Sequence, residues 1–253
     1  MKNIFWVAKA TFQELKREKF VWVSLAIAMS LYLLSGLLGF LSFDEQLRIF
    51  VHFGMAAMQI CMWLVAAFWG GSMISKEVER QTCLIILTRP LSRTHFFLGK
   101  MLGLIFLIFQ LWLVLVAVIV LATFKNLPFS ALLQSSFGIF LEAVVLALVA
   151  GAFASFMGST LSVGCAFVVG MIGHWIPDLN FFAEKSKDAT FISFAKLINY
   201  IIPQFHLFNF KSVAWIHSGG DLSLVFWMIL HSVGWSLLLI FFAVFFFSRK
   251  DLV

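Results

Sequence analysis

Two features of this sequence have the chemistry to do work: a charged stretch over residues 75–95, and one carboxylate, Glu142, set in an apolar run. The stretch reads Ile74-Ser-Lys-Glu77-Val-Glu79-Arg80-Gln-Thr82-Cys-Leu84-Ile-Ile-Leu87-Thr-Arg89-Pro90-Leu-Ser92-Arg93, and Gly99-Lys100 follow. It is a charged helical start, then an apolar middle, then a proline turn. Pro90 disfavours helix at Arg89, and Ser92 can cap the next helix. An amphipathic segment of this kind can dock into a groove on a soluble partner. A solvated loop whose charges only orient the neighbouring spans would have the same composition. Ionisable groups in lipid are costly and usually face a cavity or a partner, so Glu142 can line a path or couple to one. Its run is taken to begin near Ser136, and the reading preferred is therefore a place near the outer interface.

Other reactive side chains are scattered. His174, Asp178, His206 and His217 can gather near one face, but their spacings supply no defined metal-ligand set. Cys61, Cys83 and Cys165 show neither metal-ligand spacing nor a disulfide framework. Ser155, Ser159 and Ser162 with His174 or His231 are the only materials for an intramembrane hydrolase, and no Gly-x-Ser-x-Gly surrounds them. No G-x-x-x-x-G-K-[ST] loop is present, so the chain should not bind ATP alone. No catalytic, cofactor-binding or metal-ligating residue is assigned.

The elements that must position these groups are membrane helices. Of the 253 residues, 62% are hydrophobic and 12% charged, against about 45–50% apolar and about a quarter charged in an ordinary soluble domain. The net charge of +6 comes in short clusters between apolar runs, which suits topology signals better than nucleic acid. Residues 2–18 read as an amphipathic helix lying in the interface, with Ile4, Phe5, Ala8, Phe12 and Leu15 on one face. Lys9, Gln13, Glu14, Lys16 and Arg17 interrupt any uninterrupted apolar core of a signal peptide. Six spans follow, near 20–43, 49–74, 96–124, 136–157, 161–176 and 222–247, each helical because open backbone cannot face lipid. Pro177 and Asp178 are expected to end the fifth. The region 178–221 is then an outer loop with a second amphipathic helix, in which Phe191, Phe194, Ala195, Ile198, Ile201 and Ile202 recur at helical spacing before Pro203. Gly151, Gly158, Gly164, Gly170 and Gly173 mark close helix packing. With the N-terminus inside, 12 of the 18 Lys and Arg lie inside and 6 outside, so both termini are expected to be cytoplasmic. The fold class is all-α, a single polytopic domain over 1–253.

The loop resembles the corresponding segment of type-2 ATP-binding-cassette (ABC) transporter permeases. That family shows an acidic helix start, Gly-Thr, a Leu-rich turn, Pro-x-Ser-Arg and Gly-Lys. Glu77, Glu79, Thr82, Leu84, Leu87, Pro90, Ser92, Arg93, Gly99 and Lys100 match, while Gln81 replaces the common Gly. The segment Ile201-Ile-Pro203-Gln-Phe205-His-Leu-Phe208-Asn209 is similar to one in the multicopper-enzyme maturation and gliding-motility permeases. The resemblance implies a permease subunit in the cytoplasmic (inner) membrane, with a separate nucleotide-binding subunit that holds ATP and magnesium. It implies that Glu77, Glu79, Arg80, Thr82, Leu84, Leu87, Pro90, Ser92 and Arg93 contact that subunit. It also implies a second permease subunit, as a homodimer or heterodimer, and transport in the export direction. A membrane scaffold driven by an ATPase partner would carry the same loop. The absence of a charged track through the spans favours an amphipathic or lipid-like substrate over a small ion.

Overall fold

The computed structural model describes residues 2–40, 46–79, 92–123, 129–210 and 222–249. Among them the chain is helical throughout, with no strand. The helices are α1 (Lys2–Arg17), α2 (Lys19–Phe40), α3 (Gln46–Glu79), α4 (Arg93–Thr123), α5 (Phe129–Ala154), α6 (Ser159–Ser186), α7 (Ala189–Ile201) and α8 (Leu222–Arg249), with a 3-10 turn at Phe205–Phe208. Among the described residues six helices, α2 to α6 and α8, are long and apolar enough to cross a membrane. Helix is the form these runs must take, because it satisfies every backbone group within the segment.

The bundle is built around α5, the most enclosed of the six, with 72% of its central window buried; α8 has 11%. The α5 face is a run of small and β-branched residues, Ala143, Val145, Ala147, Val149 and Ala150, all nearly inaccessible. A Cβ at Gly70 of α3 would meet the Ala147 carbonyl at 2.6 Å, so the two axes approach as closely as small residues allow. At the end of the bundle that holds both described chain ends, α1 lies against α4. A Cβ at Gly99 would stand 2.6 Å from Val7, and one at Gly103 would stand 2.7 Å from the Ala8 carbonyl. The buried stripe of α1 is accordingly Ala8, Thr11 and Leu15, while Phe5, expected on the same face, is 63% exposed.

Two span boundaries differ from the sequence expectation. The fourth span begins at Phe129 rather than near Ser136. The fifth does not end at Pro177–Asp178 but continues to Ser186, with Pro177 inside the helix. A proline removes the N–H that would bond the carbonyl four residues back, here that of Gly173. The returning segment packs against the helix at that point, with the Pro203 carbonyl and the Phe205 ring lying over Gly173. Of the five glycines expected at close packing, Gly158 and Gly164 have open space around them.

Beyond Ser186 the chain turns back. Lys187 adopts a left-handed φ of 58°, a common way for a helix to stop. The Asp188 carboxylate caps α7 by accepting from the Thr190 N–H at 2.9 Å. Asn180 and Asn199 exchange side-chain hydrogen bonds at 3.4 and 3.0 Å, which holds α7 alongside α6. The 3-10 turn is thereby seated between α5 and α6. The Phe208 carbonyl lies over Gly138, and the Pro203 carbonyl and Phe205 ring lie over Gly173. Phe205 and Phe208 are completely buried. Gly173 stands 14 residues beyond Ser159, about 21 Å along the axis at 1.5 Å per residue, which is inside a hydrocarbon layer of about 30 Å. Irregular backbone at such depth is tolerated only where protein satisfies it, and the Ser135 hydroxyl donates to the Phe210 carbonyl at 2.7 Å.

Candidate functional site

Four side chains converge at the centre of the bundle. Glu142 stands midway along α5 and is completely buried, not near an interface as the later span start had suggested. Gln59 of α3 donates from Nε2 to both carboxylate oxygens, at 2.9 and 3.1 Å. One turn further on the same helix, the Trp63 indole N–H donates to Oε1. His174 of α6 brings Nε2 to 2.8 Å from that oxygen and to 3.2 Å from Gln59 Nε2. The Trp63 ring stacks on His174 with centroids 5.5 Å apart, and Phe205 packs beside both, 6.1 Å from the imidazole and 6.3 Å from the indole. Gly170 makes this possible, since a Cβ there would stand 2.8 Å from Trp63.

Taking a lone carboxylate out of water costs several kcal/mol unless it is paired and hydrogen-bonded. Two donor side chains, Gln59 and Trp63, and a titratable partner supply that pairing here. The arrangement can hold one proton between Glu142 and His174 and stay neutral. The other histidines extend the group: His206 interacts with the His174 charge, and His231 of α8 faces the turn, 5.7 Å from the Phe208 ring. Asp178 is exposed, His217 lies outside the described residues, and among the described residues no three His, Cys, Asp or Glu stand together as a metal set. The Ser155 and Ser162 hydroxyls donate to carbonyls of nearby helical turns, those of Ala152 and Gly158.

A second charged cluster lies at the bundle end that carries α1. Lys100 of α4 is 5% exposed. Its ammonium group pairs with Glu77 at the end of α3 and reaches Glu14 of α1 at 3.4 Å. The Glu77 side chain is 17% exposed and that of Glu14 60%. Glu77 thus faces inward to Lys100. Of the remaining loop residues, Glu79 ends α3 and its side chain, with Arg80, Thr82, Leu84, Leu87 and Pro90, lies outside the described residues. Ser92 accepts the His95 N–H at 3.2 Å and so caps α4. Arg93 donates to the Ser248 carbonyl of α8 at 3.0 Å. Between α5, α6, the end of α7 and α8 lies a cavity of about 260 Å³ walled only by apolar side chains, among them Phe153, Val169, Ile202, Trp235 and Phe242.

Gln59 and Trp63 were not singled out from the sequence. Their signal is faint: two polar tips four residues apart, on one face of an apolar run. Lys100 had been read only as a loop charge and a motif match. The family model for ABC-2 family transporter protein matches residues 9–173, which takes in the second half of α1, α2 to α5 and about half of α6. No curated protein matches the chain.

Proposed function

The chain belongs to the ABC-2 transporter permease family, and from that premise we propose that it is the membrane half of an exporter driven by a separate nucleotide-binding subunit. Membership makes it the transmembrane subunit of an ABC transporter, spanning the membrane several times. The proposal adds direction, coupling and stoichiometry. ATP and magnesium are held by the partner, two permease subunits enclose the path, and both termini face the cytoplasm of the cell whose inner membrane holds them. The basic clusters at that end of the bundle support this orientation. The apolar walls of the cavity support an amphipathic or lipid-like substrate.

The observation that carries the coupling role is Lys100. It ties α1, the end of α3 and the start of α4 through Glu14 and Glu77, and Arg93 adds α8. Segment 78–92 leaves and re-enters this knot, so a push from a docked ATPase on that segment reaches four helices together. Glu77 serves inside this unit, and Glu79, Arg80, Thr82, Leu84, Leu87, Pro90, Ser92 and Arg93 present the docking surface around it.

The test is affinity purification of the chain from its native membrane in mild detergent, with mass spectrometry and an ATPase assay. A stoichiometric ABC ATPase with vanadate-sensitive hydrolysis is expected. Recovery of the chain alone, without hydrolysis in several mild detergents, would overturn the reading.

A further inference from the structure

We propose that Gln59, Trp63, Glu142 and His174 form a proton-binding site at the middle of the bilayer, and that its proton holds the Pro203–Phe208 segment against α6. The proposal requires only that the bundle lies in a membrane. It stands or falls separately from ATP coupling.

Charge balance comes first. The carboxylate has essentially no access to solvent, and the titratable group in hydrogen-bond contact with it is His174. With one proton shared between them the cluster is neutral, whether as carboxylate and imidazolium or as acid and imidazole. Remove that proton and a net negative charge stands in the hydrocarbon layer; add a second and the charge is positive. Both states are costly at this depth, so the neutral arrangement is the one with a single proton. Gln59 and Trp63 donate to the carboxylate in either form, which keeps the geometry in place while the proton moves. The imidazole is the more accessible of the pair: the side chain of His174 is 21% exposed and that of Glu142 1%.

The same residue is the seat of the returning segment. His174 lies against the Phe205 ring. Its neighbour Gly173 carries the Pro203 carbonyl and Phe205 against its Cα. A change of charge on the His174 ring is therefore felt at Phe205 directly and at His206 through space. The titratable groups around the pair are His206 from the turn and His231 from α8, which interacts with His206. On α3 His52 stands two turns from Gln59 on the same face, and on α6 Asp178 is one turn from His174 and exposed.

Hydrogen–deuterium exchange of the full chain, in lipid nanodiscs with whatever subunit co-purifies, reads the segment directly. Rates are followed over a pH series and corrected for intrinsic exchange. For residues 201–210 of the wild type we expect a step in protection of about tenfold, the equivalent of one unit of proton linkage. In Glu142→Gln the step should vanish. In His174→Gln it should vanish or move to a different pH. In His206→Gln it should remain. No step in the wild type, or an unchanged step in Glu142→Gln, overturns the proposal. So does a step lost only in His206→Gln, which would assign the proton to the turn. If Glu142→Gln fails to assemble, His174→Gln decides, and a step at the wild-type pH in that variant is the overturning result.

Discussion

Replacing Lys100 by Met removes the cation that stands between Glu14 and Glu77. The Lys100–Glu77 arm is nearly enclosed, with side chains 6% and 17% exposed, and deleting one partner of a buried pair costs about 3–5 kcal/mol. The Glu14 arm is 60% exposed on its acidic side, so solvent screening limits it to at most about 1 kcal/mol. Glu77 can take up a proton once its partner is gone, which caps the loss. The expected destabilisation is therefore at the bottom of the range, about 3 kcal/mol, or roughly a hundredfold in the folding equilibrium. Glu77→Gln alone leaves the ammonium group buried beside a neutral amide and should cost about 2 kcal/mol. The double variant Lys100→Met/Glu77→Gln leaves neither charge and should recover most of both losses, giving a coupling of about 2 kcal/mol or more. Equilibrium unfolding in mixed micelles, followed by tryptophan fluorescence, measures all four proteins. Additivity within about 0.5 kcal/mol would refute the account, and Lys100 would then be a cation whose head reaches water independently of its neighbours.

Three further outcomes follow from the same geometry. Glu79→Arg should lower partner-stimulated ATPase severalfold without affecting membrane insertion; Arg93→Glu should do so as well, but also loosen α8 at Ser248, and normal coupling in both would remove segment 78–92 from the docking surface. Gly103→Leu should force α1 off α4, at about 1–3 kcal/mol of overpacking; exchange protection of residues 4–15 should fall while that of the spans holds, and intact protection would contradict the close seat. Pro177→Ala returns an N–H to the Gly173 carbonyl, so protection should rise near 177 and, with that bond made, fall at 205–208, where Phe205 sits against Gly173. Equal protection at 205–208 in both proteins would show that the turn does not depend on that bond.

The spans were legible because each is a long apolar run, and all but the fifth reach the roughly 20 residues a bilayer requires. Their inner boundaries were not. Ser130, Gln134, Ser135 and Ser136 make the start of α5 resemble a loop, but Gln134, Ser135 and Ser136 are buried. Ser135 holds the Phe210 carbonyl, and the Ser136 carbonyl accepts the Trp112 indole N–H at 2.9 Å. That shift of one to two turns carried Glu142 from an apparent interface to the centre. Pro177 is a valid stop signal where nothing supports the helix, and here the turn around Phe205, 28 positions away, packs on Gly173. The segment 178–221 has the composition of an outer loop, yet residues 178–186 continue α6 and the turn at Phe205–Phe208 enters the bundle. Glu142, His174 and His206 were all noted from the sequence. Their association was not readable, because no local pattern pairs Gln59 with an acid on another span.

The central polar cluster also has a place in time. Spans enter the membrane in chain order, and Gln59 precedes Glu142 by 83 residues, Trp63 by 79. The donors are in the bilayer before the acid arrives. A carboxylate entering the middle of a membrane by itself is opposed by several kcal/mol, whereas α5 enters beside an α3 that already offers two N–H groups at the right depth. His174 follows 32 residues later and completes the set. The order of synthesis thus lets the neutral half of the site wait for the charged half, and makes the arrival of α5 the step at which a loose group of hydrophobic helices becomes one molecule.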